Sequence, residues 1–200
     1  DISKAIDKVW HSGLLLKLSS YGVSGNVFKI IESFLTNRSI KVVLDGQHSS
    51  SFPVTSGVPQ GSILGPILFL IYINNLPETL TSKVALFADD TTIYSCLDKK
   101  PTLSDCLEEV SELENDLTSA TAWGSQWLVN FNSDKTQYFS ANRYRNNLNL
   151  PILMNGNVID ESSSLRLLRL TLTSDLSWKP YIKSIAKLAS AKAAFLRKRK

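Results

Sequence analysis

The sequence contains few of the residues that build disulfide frameworks, histidine metal sites or membrane spans. It has two cysteines and two histidines in 200 residues. Cys96 and Cys106 form no CxxC motif, so we expect two free, partly buried thiols in a reducing compartment. The longest apolar run, residues 67–73, is too short to cross a membrane, and no signal peptide is visible. The sequence therefore predicts an intracellular protein with no membrane partner.

Acidic residues are absent from the C-terminal end of the chain. Residues 179–200 hold eight basic side chains and no acidic one, whereas residues 1–178 have a net charge of −4. Such a basic patch favours a polyanion such as nucleic acid, but cations also suit a helix C-terminus, and charge alone leaves both interpretations open. The basic residues 197–200 also resemble a nuclear import signal, so the nucleus and the cytoplasm are both open.

The rest of the composition is that of a folded domain, with 43% hydrophobic and 20% charged residues. The chain begins at Asp1, without a methionine, which predicts a fragment of a longer protein. Periodicity and turn residues predict helices at residues 8–20, after Ser24, at 62–75 and 102–122, and around Pro180, and strands at residues 40–44, 52–55, 84–87, 91–94, 128–131, 137–140 and 165–172. Because several strands are joined by tight hairpin turns, the expected fold is α+β: a mostly antiparallel sheet with helices packed on one face.

An apolar stripe runs along the helix expected at residues 102–122. Its spacing of three and four residues is typical of a coiled-coil seam, which would make the chain a helix-mediated interaction module. The stripe lasts under three heptads, however, so packing on the sheet is favoured and a monomer is expected. His11, His48, Trp123, Trp127 and Trp178 are expected to have structural roles, although the tryptophans could also stack on bases.

Two adjacent carboxylates, Asp89 and Asp90, separate two apolar strands. Neither glycine nor asparagine is present to make the turn easy. Carboxylates pressed against a buried hairpin repel each other and lose solvation, and a divalent cation would relieve both costs. Oxygen ligands without histidine or cysteine suit Mg²⁺ or Mn²⁺. Taken alone, the pair is more typical of a solvated polar turn than of a metal site.

A glycine-rich segment, SGVPQGSILGP at residues 56–66, precedes a buried helix. Glycines at a helix N-terminus let the backbone approach a ligand closely, and that end of a helix favours phosphate. Gln60 adds both a hydrogen-bond donor and an acceptor. The segment lacks the lysine of a P-loop and, taken alone, is equally consistent with an ordinary strand-to-helix connection. No GxSxG motif is present, which disfavours a serine hydrolase.

Five motifs in one order carry a family resemblance. They are DISKAIDKVWH at residues 1–11, SGVPQGSILGP at 56–66, FADD at 87–90, NxxxxKT at 130–136 and LSWKPYI at 176–182. In this combination and spacing the chain resembles the reverse transcriptases of LINE-type, non-LTR retrotransposons over nearly its whole length. The resemblance implies a polymerase palm at residues 1–175, the start of a helical thumb at 176–200, and fingers that are missing from the chain.

The resemblance also implies an activity and its cofactor. The reaction would be RNA-templated addition of dNTPs to a DNA primer 3′ end, with two Mg²⁺ ions held by Asp1, Asp89 and Asp90 and with Mn²⁺ as a substitute. Lys135 matches the lysine that protonates the leaving pyrophosphate. The partners would be an RNA template, a DNA primer and dNTPs. The alternative is a catalytically inactive nucleic-acid-binding remnant of such an element.

The resemblance assigns binding roles to two further sets of residues. The dNTP would be bound by Ile2, Ser3, Lys4, Ala5, Ile6, Gln60 and Gly61. Primer and template would be contacted by Gly57, Pro59, Leu168, Arg169, Lys179, Lys183 and Lys187. Two positions depart from the family pattern, since Ile6 replaces the usual Phe or Tyr that blocks a ribose 2′-hydroxyl, and Arg169 replaces a glycine of the strand pair that grips the primer.

Overall fold

The computed structural model describes residues 2–97, 101–141 and 150–197, in which helices and short strands alternate. The α-helices are α1 (His11–Ser20), α2 (Gly25–Leu35), α3 (Leu64–Ile73), α4 (Leu103–Gln126) and α5 (Lys179–Arg197). Three single-turn 3₁₀ helices are η1 (Ile6–Lys8), η2 (Pro77–Thr79) and η3 (Ser133–Lys135). The strands are β1 (Arg38–Ile40), β2 (Val43–Leu44), β3 (Gln47–His48), β4 (Phe52–Val54), β5 (Lys83–Phe87), β6 (Asp90–Tyr94), β7 (Ile152–Met154), β8 (Asn157–Ile159), β9 (Ser164–Leu167) and β10 (Leu170–Thr173).

The paired strands are all antiparallel, which confirms the α+β expectation, but they form five separate two-stranded sheets. These are β1–β4, β2–β3, β5–β6, β7–β8 and β9–β10. The expectation of one sheet is therefore wrong for the described residues. The segments around Phe131 and Tyr138, which would link the hairpins into one sheet, do not pair as strands. Phe131 makes a single bridge to Ile2, and Tyr138 makes a single bridge to Glu161. The strands expected at residues 128–131 and 137–140 do not form.

Residue patterns predict one strand at residues 165–172, but the structure has a hairpin there, in agreement with the strand pair that the family resemblance implies. β9 and β10 turn at Leu168 and Arg169, which both have positive φ, 46° and 69°. The sequence there contains no glycine or asparagine, so no turn residue announces the break. The turns at Asp45-Gly46 and Asn155-Gly156 form as expected, with positive φ at both turn residues of each. The strand expected at residues 40–44 is broken, however, because β2 pairs with β3 while β1 pairs with β4.

The main core lies between α1, α3 and the C-terminal end of α4. Its buried side chains include Leu14 and Leu18 from α1, Leu68 and Tyr72 from α3, and Trp123 from α4. A smaller cluster forms where α4 covers the β7–β8 hairpin. Val110 and Leu117 of the α4 stripe pack on these strands, as favoured above, whereas Leu103 and Leu107 at the start of the stripe are about half exposed.

Two helices are more exposed than their sequences suggest. In α3, Ile67 and Leu70 are each 49% exposed, so the helix is buried on one side only, against α1 and α4. No described residue of α5 is buried, and Trp178 just before it is also exposed, against the expected core position.

Residues 198–200 of the expected import signal lie outside the described residues. Cys96 and Cys106 are free thiols, as expected, but only Cys106 is partly buried, because Cys96 is exposed. None of the helices in the described ranges combines the length and apolarity needed to cross a bilayer.

A buried lysine joins the three core helices. Lys17 of α1 is 4% exposed, and its ammonium donates hydrogen bonds to the carbonyl of Tyr72 and to Oδ1 of Asn75. The Trp127 ring, at the end of α4, lies 3.8 Å from Lys17 Nζ, with the rings of Tyr72 and Trp123 each at 5.3 Å. Cation–π attraction in such a desolvated cage offsets part of the cost of burying the charge.

Burial lowers the pKa of Lys17 to about 8, although the negative charge of Glu78 acts in the opposite direction. The native state therefore binds fewer protons at Lys17 than the unfolded state when the pH lies between about 8 and the ordinary value of 10.5. The cost of the buried ammonium is fully present below that range and is relieved as the pH rises.

A buried carboxylate attaches the middle of α4 to the segment that precedes β5. Asp116, 2% exposed, accepts hydrogen bonds from the backbone N–H of Thr81 and of Ser82, both at 2.8 Å, and from the Thr81 hydroxyl. Burial pushes the pKa of Asp116 up, but these hydrogen bonds outweigh it and leave the pKa below its usual value. The contact attaches the start of the β5–β6 hairpin to α4.

We predict that replacing Lys17 changes how stability depends on pH. Relative to Lys17→Met, the free energy of unfolding of the natural chain should rise between pH 8 and 9.5 by up to about 1.4 kcal/mol per pH unit. Urea denaturation at pH 7, 8, 9 and 9.5 measures this difference. The matched control is Lys29→Met, which removes an exposed lysine of α2 and should run parallel to the natural chain. If the free energy of unfolding of Lys17→Met varied with pH in parallel with that of the natural chain, this would contradict the burial of the Lys17 ammonium.

Candidate active site

The first motif packs directly against the glycine-rich segment. The N–H of Val58 donates to the carbonyl of Ile6 at 3.0 Å, and the N–H of Gly57 donates to the carbonyl of Val9 at 2.8 Å. Trp10 and Ser56 form a single antiparallel bridge. These bonds hold η1 and residues 56–58 in one unit, although 46 residues or more separate them along the chain.

Gly57 is required by this close contact. Its φ is +83°, which favours glycine, and a Cβ there would lie 2.6 Å from the carbonyl oxygen of Asp7. Gly61 has nearly the same φ, +79°, but a Cβ there would meet open space. The two glycines therefore have different structural roles. Gly57 allows close contact with the backbone of Asp7, whereas Gly61 only allows the chain to turn.

Two basic side chains converge on the carbonyl of Gly57. His11 Nε2 lies 2.8 Å from that oxygen and Arg38 Nη2 donates to it at 2.7 Å. Arg38 Nε also donates to the carbonyl of Leu35, at the end of α2. His11 is buried, at 7% exposure, which confirms the structural role expected for it. The glycine-rich segment is thus fixed from η1, α1 and α2 together.

The side chain of Gln60 contacts η1 as well. Its Nε2 donates to Asp7 Oδ1 at 2.7 Å, and the Ser56 hydroxyl donates to the carbonyl of Asp7 at 3.0 Å. Pro59 and Ser62 lie just before α3, where the Ser62 hydroxyl donates to the Pro59 carbonyl and accepts from the N–H of Gly65. Apart from its hydrogen bond to Asp7, the Gln60 side chain is exposed and is available to a ligand.

The residues expected to bind a triphosphate, 2–6, lead into η1 and include its first residue, Ile6. Ile2 and Ala5 are buried, Ile6 is half-buried against the core, and Lys4 is exposed with a φ of 53°. The N–H of Ser3 donates to the carbonyl of Asn130 at 2.9 Å, so this backbone donor is already engaged. This bond and the Ile2–Phe131 bridge bring the first and fourth motifs together.

Asp89 and Asp90 lie at the tip of the β5–β6 hairpin. Phe87 pairs with Asp90, so the turn consists of Ala88 and Asp89, and Ala88 has a φ of 52°, in a position where such turns usually have glycine. Strained turns of this kind occur at functional sites. Both carboxylates and Phe87 are exposed, so the desolvation expected from a buried hairpin does not occur.

The donor set of the hairpin tip fits a hard divalent cation. It offers oxygen ligands only, which are the ligands Mg²⁺ prefers. The third expected ligand, Asp1, lies outside the described residues. Among the described ranges, no three His, Cys, Asp or Glu side chains form a group that could hold a metal ion.

The remaining expected residues lie in two other regions. Lys135 ends η3, whose first turn is capped by Asn132 Oδ1 accepting from the N–H of Asp134 at 2.9 Å. Leu168 and Arg169 form the exposed turn of the β9–β10 hairpin. Arg169 therefore has a left-handed backbone conformation at the position where the family that this chain resembles usually has glycine. Lys179, Lys183 and Lys187, four residues apart on α5, share one face of that helix.

Sequence reasoning missed three residues that hold the site in place: Lys17, Arg38 and Asp7. Asp7 lies inside a motif quoted above but received no role of its own. The signal for Lys17 was present, because it occurs three residues after Leu14 and one before Leu18, on the face that faces inward. No sequence pattern indicated the role of Arg38, because its partner is the backbone carbonyl of Gly57, which is distant in sequence.

Comparisons with known proteins point to the same family as the motifs do. Residues 1–172 match the family model described as reverse transcriptase (RNA-dependent DNA polymerase). The chain is 32% identical, over 97% of its length, to the RNA-directed DNA polymerase from mobile element jockey of Drosophila melanogaster, covering 21% of that protein. It is 29% identical, over 92% of its length, to the probable RNA-directed DNA polymerase from transposon BS of Drosophila melanogaster, covering 20% of it. The chain therefore spans about a fifth of the length of these relatives.

We predict that the two glycines of the segment tolerate a methyl group differently. Both Gly57→Ala and Gly61→Ala strain a positive φ, but only Gly57→Ala also forces a Cβ against backbone. Gly57→Ala should therefore lower the free energy of unfolding by about 1–3 kcal/mol more than Gly61→Ala does. Urea denaturation of the two variants measures the difference. Equal losses would contradict the close contact between residues 56–58 and η1.

Proposed function

The chain belongs to the reverse transcriptase family of RNA-dependent DNA polymerases, and from that premise we propose that it forms the palm and the start of the thumb of a polymerase from a non-LTR retrotransposon. The family resemblance drawn from the five motifs is confirmed. In the proposed division, residues 1–175 belong to the palm and residues 176–200 to the thumb. The activity is RNA-templated addition of dNTPs to the 3′ end of a DNA primer.

One observation carries the proposal most directly, namely the pair of exposed carboxylates on the tight β5–β6 turn within a chain of this family. Together with Asp1, Asp89 and Asp90 would hold the two Mg²⁺ ions. When bound, these ions would supply activation of the primer 3′-hydroxyl and neutralisation of charge on the leaving pyrophosphate.

The chain's own residues have three further tasks in this proposal. Gln60 and Gly61 contact the incoming nucleotide, and residues 2–6 contact its triphosphate. Lys135 donates a proton to the oxygen of the pyrophosphate as its bond to the α-phosphorus breaks. Half-buried Ile6 forms part of the nucleotide pocket, where a smaller, non-planar side chain excludes a ribose 2′-hydroxyl less well than an aromatic ring does.

The template–primer duplex is proposed to contact the C-terminal part of the chain. Lys179, Lys183 and Lys187 would contact its phosphates along one face of α5. Arg169 would lie near the primer end, at the tip of the β9–β10 hairpin. The exposure of the whole helix supports this role, because nothing in the described part of the chain buries its basic face.

A second candidate is an inactive nucleic-acid-binding remnant. The observation that favours it is Arg169, a bulky cation with a φ of 69° where the family has glycine, together with Ile6 at the nucleotide pocket. In this case the basic helix would still bind RNA, but the carboxylate pair would not support turnover.

We predict that primer extension on a primed RNA template, with Mg²⁺ or Mn²⁺, depends on Asp89. Asp89→Asn should lower incorporation by about a hundredfold or more, because it removes a charge that would hold the metal ions. The matched control is Asp45→Asn, which changes an aspartate at the tip of the β2–β3 hairpin and should leave incorporation unchanged. Extension that survives Asp89→Asn would contradict the proposal, and a chain that binds RNA but extends no primer would favour the remnant.

We further predict that α5 contributes to RNA affinity through charge. Lys183→Gln combined with Lys187→Gln should weaken binding and reduce the slope of log K against log salt by about one for each phosphate that is no longer neutralised. Fluorescence anisotropy at several salt concentrations measures the slope. Lys29→Gln on α2 serves as the control. An unchanged slope in the double variant would exclude α5 from the interface.

A further inference from the structure

We propose that Asp7 is a positioning residue that orients the carboxamide of Gln60 toward the substrate. This inference rests on the proposed polymerase function, because Gln60 is the residue through which Asp7 would act. The observation behind it is the hydrogen bond from Gln60 Nε2 to Asp7 Oδ1, at 2.7 Å, between two motifs that lie 53 residues apart.

The chemistry of the pair fixes which way the amide faces. An ionised carboxylate only accepts hydrogen bonds, so the NH₂ group of Gln60 must face Asp7. The amide oxygen, Oε1, therefore points away from Asp7. A charge-assisted hydrogen bond of this length is stronger than one between neutral groups, so the bond holds one of the two amide orientations.

The backbone of Asp7 is itself held in place at several points. Its N–H donates to the carbonyl of Lys4 at 3.0 Å, and its carbonyl accepts from the Ser56 hydroxyl at 3.0 Å. Gly57 lies directly against the same carbonyl. A functional side chain is placed accurately only when its supporting residue is fixed, and Asp7 meets this condition.

The loop that carries Gln60 is fixed independently of Asp7. His11 and Arg38 both contact the carbonyl of Gly57, three residues before Gln60. Removing the Asp7 carboxylate therefore leaves the loop in place and frees only the Gln60 side chain. Since Asp7 and Gln60 are not buried, their replacement is not expected to unfold the chain.

The fixed orientation has a consequence for recognition. With one of its two amide hydrogens engaged by Asp7, Gln60 has its Oε1 acceptor held in one direction, which suits a ligand group that donates a hydrogen, such as a hydroxyl or an amino group of the nucleotide or template. Without Asp7, the amide samples both orientations and many side-chain conformations, and productive binding of the nucleotide becomes less frequent.

The test is a double-mutant cycle on Asp7 and Gln60, measured as KM for dNTP and kcat in primer extension by the natural chain and its variants. Asp7→Ala should raise the KM for dNTP about tenfold with a smaller change in kcat. Asp7→Asn, which keeps an acceptor at Oδ1, should restore most of the loss. In a Gln60→Ala background, Asp7→Ala should have no further effect. Asp160→Ala, at another exposed aspartate, is the matched control.

A second measurement separates this inference from the polymerase proposal. In nuclear magnetic resonance spectra of the chain, one side-chain amide proton of Gln60 should exchange slowly with solvent, and this protection should disappear in Asp7→Ala and persist in Asp7→Asn. If no chain extends a primer, the polymerase proposal fails, and this protection alone decides whether Asp7 orients Gln60. Additive effects in the cycle, or amide protection that is the same in Asp7→Ala, would overturn the inference.

Discussion

The buried ammonium of Lys17 is the contact on which the arrangement of this chain depends. It hydrogen-bonds to Tyr72 and Asn75 and lies over the ring of Trp127, so that it joins α1, α3 and the end of α4. The Tyr72 hydroxyl donates to the carbonyl of Trp127 as well. A charge in this position is costly unless every donor is satisfied, which makes the geometry of the cage specific.

The helices around Lys17 are linked to the candidate active site by short segments of the chain. α1 follows η1 and carries His11, which contacts the carbonyl of Gly57, while α3 begins directly after the segment that holds Gln60. The end of α4 leads into Asn130, whose carbonyl accepts from Ser3. The helices that enclose Lys17 thus position three of the five motifs. The β5–β6 hairpin with its carboxylates is attached separately, through Asp116 and residues 81–82.

Local patterns predicted the helices and most hairpins because their signals are local. Asp45-Gly46 and Asn155-Gly156 are turn residues by chemistry, and the apolar spacing of α4 defines its packing face. The turn at Leu168-Arg169 was missed because its residues are poor at positive φ, so only pairing across the hairpin reveals it. Similarly, the motifs named Gln60 but not Asp7 or Arg38, whose roles depend on partners about 20 to 50 residues away.

The central claim is that the tip of the β5–β6 hairpin is the divalent cation site of a polymerase. Titration of the chain with Mn²⁺, followed by paramagnetic broadening of backbone amide signals, tests it most directly. The account predicts broadening that is strongest at residues 88–91, extends to the residues next to Asp1, and is lost in Asp89→Asn. Broadening that is strongest elsewhere, or that persists in Asp89→Asn, would contradict it.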